Sequence, residues 1–362
     1  MAFSNSPPVQ LTKNKRGYAY NAIPNLDATE FDNFSEFLVP TILGVQEKTG
    51  ITFDYISPVN EPQWDWSDGG QEGTPFYNHD IAQITKSLSK NLTDKSIPTK
   101  ITIAESGQLE YLYSAFNRPN TSNQITVFFD KNSVDYIGDL PNLEPTIAGH
   151  SYWTTSPYQA GKTKREQLMQ ALDTKSNLKY WMSEYCILGD NDGEIQGNGK
   201  DLGIGPALYV AKVIHNDLVN ANASAWHWWT AISAYDYKDG LVYVDKTETD
   251  GSYQDSKMLW ALGNYSRFIK PGAIRIGTEI TNGNDGLFVS AYINTDQNMV
   301  TVITNSRTDA LEMEVKGING NLTKTKYYQT SETASLKPVE LATTNGKITI
   351  PARSIVTMVG QL

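Results

Sequence analysis

Two glutamates stand where sugar chemistry would need them. Glu61 lies in Ile56-Ser57-Pro58-Val59-Asn60-Glu61-Pro62-Gln63-Trp64-Asp65-Trp66, directly after an apolar run, and Glu184 closes the shorter run Tyr180-Trp181-Met182-Ser183. A pair of carboxyls can cleave a glycosidic bond. One attacks the anomeric carbon while the other protonates the departing oxygen, and retaining chemistry sets them ~5–5.5 Å apart. The neighbours suit a sugar as well. The Asn60 carboxamide can hold a hydroxyl, and the indole faces of Trp64 and Trp66 can stack on pyranose rings. Taken singly, each glutamate is as easily a solvated strand-end residue, so the reading rests on the pair.

Other residue types offer less. His79, His150, His215 and His227 show no metal-ligand spacing and there is no cysteine cluster, so no metal is expected. His79 and His215 fall in helical segments and read as solvated or packed, while His227 is equally core or pocket. Cys186 reads as a small buried hydrophobe. Trp153 and Tyr158 follow strand ends and are either stacking platforms or core. Glu105 and Glu110 follow the strand at residues 100–104, but no motif supports them. Gly203-Ile204-Gly205 lacks the preceding strand that a phosphate-binding loop requires.

The elements that position these residues alternate. Asp27, with Glu30 three residues later, opens a helix through Phe34, Leu38 and Ile42 towards Thr49-Gly50. Residues 51–59 read as a buried strand that Pro62 prevents from continuing. Asn78 caps a second helix bearing Ile81, Ile84, Leu88 and Leu92. Strands follow at residues 100–104, 147–152, 179–183 and 223–229, with helices over 164–172 and 202–219. Strands separated by helices imply a parallel sheet with functional groups at the strand C-termini. Residues 1–270 are therefore expected to form a (β/α) barrel. Beyond Lys270-Pro271-Gly272, segments 287–293, 299–304, 311–316, 324–329 and 347–358 are β-rich, with turns at Asn282-Gly283, Asn319-Gly320 and Asn345-Gly346. Residues 271–362 are expected to form an all-β sandwich.

Composition narrows the class. The chain has 362 residues, 20 Tyr, 8 Trp and a net charge of −10, which argues against nucleic acid or an anionic membrane as partner. One cysteine allows no internal disulfide. No leader stands in residues 1–20, and no apolar run is long enough to span a bilayer. Of the Asn-x-Ser/Thr sequons, at Asn33, Asn91, Asn120, Asn222, Asn264 and Asn321, most are expected to arise by chance in a chain rich in these residues.

With these motifs in order, the chain resembles glycoside hydrolase family 30, within the clan of retaining (β/α)8-barrel enzymes. The residues that carry the likeness are Asn60-Glu61-Pro62, His150-Ser151-Tyr152, Ser183-Glu184 and Trp226-His227-Trp228-Trp229, with the trailing β-module. The resemblance implies Glu61 as acid/base, Glu184 as nucleophile and Asn60 as partner of the sugar 2-hydroxyl. By the same likeness His150 and Tyr152 shape the pocket, and Trp228 or Trp229 forms its floor. No cofactor is implied. The stretch from Ser57 to Trp66, with Gln71-Glu72-Gly73 after it, looks most like the endo-β-1,6-galactanase branch. The expected activity is thus retaining endo-hydrolysis of β-1,6-galactan, with β-1,6-glucan as runner-up substrate, by a secreted or periplasmic monomer.

The sequence departs from the family in one region. Residues 1–10 (MAFSNSPPVQ) resemble the end of the third barrel strand, so the first two to three strands are expected to be absent. The family's second strand brings a basic residue, commonly Arg, to the site, and none can be assigned here. Val9-Gln10-Leu11 stands where an aromatic usually follows Ser-Pro-Pro. Two other readings follow: a carbohydrate-binding remnant without turnover, or a structural module built on the sandwich.

Overall fold

Short β-branched runs form a six-stranded parallel sheet in the computed structural model, which describes residues 1–67, 69–281, 285–317 and 322–362. In order across the sheet the strands are β1 (Ala2–Phe3), β2 (Tyr55–Ser57), β3 (Lys100–Ser106), β4 (Leu143–His150), β5 (Lys179–Glu184) and β6 (Ala225–Trp226). Every pairing is parallel, so all C-terminal ends collect along one rim. Among the described residues β1 and β6 are edges, and the sheet is a half-barrel.

Strand β2 is shorter than its apolar run suggests. It pairs with β1 and β3 only between Tyr55 and Ser57, and Ile51 is 55% exposed. A ladder extends no further than its neighbours do, whatever the propensity of the flanking residues. Strand β6 likewise covers two residues of the expected 223–229.

The first helix follows the sequence signal closely. Asp27 caps a single 3₁₀ turn by accepting from the Thr29 N–H, and α1 (Phe31–Thr49) continues from it. Phe31, Phe34, Leu38 and Ile42 lie on its buried face at helical spacing. It ends at Gly50, whose φ of 74° a residue without Cβ adopts at little cost. Helix α2 (Asn78–Asp94) buries Ile81, Ile84, Leu88 and Leu92, but its cap differs from expectation. Tyr77 is the N-cap and its N–H is held by Asp80 (3.1 Å), because the buried Asn78 carboxamide donates instead to the Ser122 carbonyl (2.7 Å). Both helices pack with Ile56, Val59, Ile101 and Ile103 into one apolar core under the sheet. Two short helices follow, α3 (Glu110–Tyr113) and α4 (Gln124–Phe129), and then α5 (Tyr158–Asp173).

The chain divides into two compact units. Met1–Tyr185 with Asn220–His227 form the first, Cys186–Val219 with Trp228–Leu362 the second. The second holds nearly all of α6 (Ile204–Asn220), a small sheet of β7 (Ile232–Ser233), β8 (Val242–Val244) and β9 (Tyr253–Asp255), and α7 (Lys257–Ser266). A six-stranded antiparallel sheet then follows the order β10 (Ile274–Ile276), β11 (Leu287–Ile293), β12 (Asn298–Asn305), β18 (Ser354–Gln361), β14 (Thr323–Thr330) and β15 (Lys337–Val339). A three-stranded sheet of β13 (Leu311–Met313), β17 (Lys347–Ile350) and β16 (Thr343–Thr344) completes the sandwich. Leu287, Val289, Ile303, Ile348, Ile350 and Val356 form a core shared by the two sheets. The run read as one strand at 347–358 is two, β17 and β18, because Pro351 cannot donate to a ladder. The Asn345-Gly346 turn joins β16 and β17 with both residues at positive φ, as a two-residue hairpin demands. Asn282-Gly283, Asn319-Gly320 and Asn321 lie outside the described residues.

Candidate active site

In the first unit Glu61 lies in the turn after β2 and Glu105 near the end of the neighbouring β3, and both backbones have positive φ, 41° and 52°. For residues with a Cβ such conformations cost about 1–3 kcal/mol each and persist only when the surroundings impose them. Here the surroundings do. The Glu61 N–H donates to the Glu105 carbonyl (2.8 Å), and the Trp66 indole N–H donates to the Glu61 carbonyl (3.0 Å). The buried Gln63 donates to the Thr121 carbonyl (2.8 Å) and to the Ser106 hydroxyl (3.2 Å), and it accepts from the Gly107 N–H (3.3 Å). The turn after β2 is thereby tied to the turn after β3. Gly107 is obligatory at this junction, since a Cβ there would stand 2.3 Å from the Trp64 indole nitrogen.

Strands β4 and β5 bring the remaining groups to the same place. His150 is buried at the end of β4, with Nδ1 at 2.7 Å from Glu61 Oε1 and 3.8 Å from Glu184 Oε1, and Nε2 at 3.4 Å from Glu105 Oε2. The Tyr152 hydroxyl donates to Glu184 Oε1 at 3.0 Å, and the Ser183 hydroxyl donates to Glu105 Oε2. A carboxylate oxygen of Glu61, one of Glu184 and a ring nitrogen of His150 all lie within 4.8 Å of one another.

Three carboxyls around one imidazole decide the protonation. Burial works to lower the His150 pKa, but Glu184, Glu105 and Glu61 outweigh it and hold the ring well above its ordinary 6.5. Glu184 is pushed up to about 7, first by burial and then by the charge of Glu61 and Glu105, against the pull of His150 and the Tyr152 hydroxyl. An imidazolium has a proton on each nitrogen and no lone pair to give a cation. The geometry therefore suits a cluster that shares protons, although its atoms are close enough for a metal ion.

The aromatic candidates take different places. Trp64 sits edge-on to Trp153 (5.1 Å) and Tyr111 (6.3 Å), and Tyr111 continues to Phe116 (5.6 Å). Trp153 also meets Tyr152 (5.7 Å), so a line of rings leads outward from Tyr152 to the exposed faces of Trp153 and Phe116. Trp66 lies across Gly73 and is half-buried. Tyr158 opens α5 with its hydroxyl turned to Asn220. Asn60 is buried beside Glu61, and its carboxamide has no hydrogen-bond partner among the described residues. Trp228 and Trp229 belong to the second unit, where the Trp228 indole donates to the Asp239 carbonyl (2.7 Å). Cys186, the one cysteine of the sequence, is buried. Glu110, buried and paired with Lys164, is structural. Glu105 is not: it sits in the cluster that sequence reasoning left it out of. The available signal was its position, since it closes an apolar strand as Glu61 and Glu184 do.

A half-barrel of parallel strands, followed by a β-sandwich and carrying two facing glutamates on the strand-end rim, defines a glycoside hydrolase scaffold. The chain belongs to O-glycosyl hydrolase family 30, whose profile matches residues 1–243, and the family's β-sandwich domain matches residues 272–358. It is 28% identical over 156 residues to the glucuronoxylanase XynC of Bacillus subtilis, a segment that is 42% of this chain and 34% of that protein. The solved structure of a conserved exported protein from Bacteroides fragilis superposes with a TM-score of 0.89 at 31% identity, over 99% of this chain and 75% of that one. The catalytic domain of the family 30 xylanase C from Talaromyces cellulolyticus shares the fold, with a TM-score of 0.71 at 21% identity over 99% and 75% of the two chains. No helix among the described residues is long and apolar enough to cross a membrane.

Proposed function

We propose that the chain is a retaining endo-glycosidase acting on β-1,6-galactan by double displacement, with Glu184 as nucleophile and Glu61 as acid/base. The observation that carries this reading is the approach of one oxygen of Glu61 and one of Glu184 to within 4.8 Å, which favours the ~5–5.5 Å carboxyl separation of retaining enzymes over the ~6.5–9.5 Å of inverting ones. Glu184 attacks the anomeric carbon as the bond to the glycosidic oxygen breaks, and Glu61 gives that oxygen its proton. His150 occupies Glu61 Oε1, which leaves Oε2 for the leaving group. Water then enters, Glu61 takes its proton, and the ester to Glu184 breaks. The Tyr152 hydroxyl orients Glu184 throughout. The Asn60 carboxamide is available for the sugar 2-hydroxyl.

The choice of galactan rests on the Ser57–Trp66 stretch and the following Gln71-Glu72-Gly73, which the fold fixes by laying Trp66 across Gly73. The likeness to a glucuronoxylanase supports xylan as a second substrate class. Product analysis on β-1,6-galactan, pustulan and glucuronoxylan separates the readings. Oligosaccharides from galactan alone are expected, and binding without product on all three would leave a carbohydrate-binding module. The likeness to an exported protein supports action outside the cytoplasm.

Two further outcomes are expected. An attacking carboxylate must be ionised, so kcat/KM rises with pH through about 7 as Glu184 loses its proton, and is lost progressively below that. A pH–rate profile flat from pH 5 to 8 contradicts this. Trp153→Ala removes the exposed ring at 48% accessibility and should raise KM for polymer about 3–10-fold, in keeping with the ~0.5–1.5 kcal/mol of an aromatic contact, while sparing a short aryl glycoside.

A further inference from the structure

We propose that Glu105 is a positioning residue: it holds His150 as an imidazolium between Glu61 and Glu184 and so fixes the orientation of Glu61. This rests on the reading of Glu61 as acid/base. Glu105 is 2% exposed, and it touches both Glu61 and His150. Its backbone carbonyl receives the Glu61 N–H, and its carboxylate faces the ring nitrogen of His150 that points away from Glu61.

The hydrogen-bond inventory explains why a carboxylate is needed there. Neutral imidazole carries one N–H and one lone pair, and the ring then has to choose which carboxyl to donate to. With Glu105 behind Nε2 and Glu61 before Nδ1, both nitrogens face acceptors, and the doubly protonated ring satisfies both. Glu105 has little else to stabilise its charge. Oε2 accepts from Ser183 and His150, while Oε1 is buried with no partner among the described residues. A buried carboxylate with so few donors depends on the nearest positive charge, and that charge is His150. The other titratable groups facing the cluster are Glu61, Glu184 and Tyr152 on His150, and His227 on Glu105, with the Met1 amino group facing His227.

The test is a ¹⁵N-histidine NMR titration of the protein, wild type against Glu105→Gln, which needs no substrate. The His150 midpoint should fall by about one pH unit or more when the carboxylate becomes an amide of the same shape. The signals of His79 and His215 report the intact fold. Ser183→Ala keeps every charge, so its His150 midpoint should stay at or above that of the wild type. An unchanged midpoint in Glu105→Gln, or an equal fall in Ser183→Ala, overturns the proposal. Where turnover is measured, Glu105→Gln should also move the alkaline limb of kcat/KM to lower pH by a similar amount. Loss of the assigned roles for Glu61 and Glu184 would appear in their own variants, independently of this titration.

Discussion

Glu184→Gln is expected to lower kcat/KM on the natural glycan by roughly 10⁴-fold or more, equivalent to about 5.5 kcal/mol of transition-state stabilisation. Glutamine preserves the side chain's shape and can still accept from the Tyr152 hydroxyl, so the site should remain formed. What it lacks is a nucleophilic oxygen. Binding of an oligosaccharide should survive within a few-fold, and that separates lost chemistry from lost structure. A variant that still hydrolyses its substrate at a comparable rate would remove Glu184 from the mechanism, and with it the assignment of the site. Trapping supplies a second readout. A substrate with a good leaving group should leave a glycosyl ester on wild-type Glu184, visible as added mass on the peptide containing it, and none on the variant.

The second large effect belongs to Glu61. Loss of a general acid typically costs 10²–10⁴-fold, and Glu61→Gln should fall in that range on a natural glycoside. The size depends on the leaving group. A dinitrophenolate departs without protonation, so its release in the first step should be nearly spared, while hydrolysis of the glycosyl-enzyme slows because water has lost its base. Accumulated intermediate is the expected signature, measured as a burst followed by a slow steady state. Equal loss on all leaving groups would show that Glu61 supports the site without transferring a proton.

How legible this was in the sequence depends on what fixes each feature. The Glu61 and Glu184 positions were readable because a parallel βα unit delivers its strand-end residues to one rim. The Asp27 cap on the 3₁₀ turn that leads into α1 and the stop of α1 at Gly50 were readable because capping is local chemistry. The limits of β2 were not, because they are set by partners far along the chain. The cap of α2 was lost to a tertiary demand: Ser122, 44 residues away, takes the Asn78 carboxamide. Glu105 was overlooked for a related reason. Nothing next to it in sequence marks it, and its meaning comes from His150 and Ser183 on two other strands.

The central claim is that Glu61 and Glu184 act as a retaining pair, and the stereochemistry of the first-formed product tests it most directly. The reaction is followed by ¹H NMR on a β-1,6-linked galacto-oligosaccharide, before mutarotation scrambles the reducing end. Two displacements at the anomeric carbon predict that the β-anomer appears first and the α-anomer grows in only later. An α-anomer formed first would mean a single displacement by water and would contradict the account.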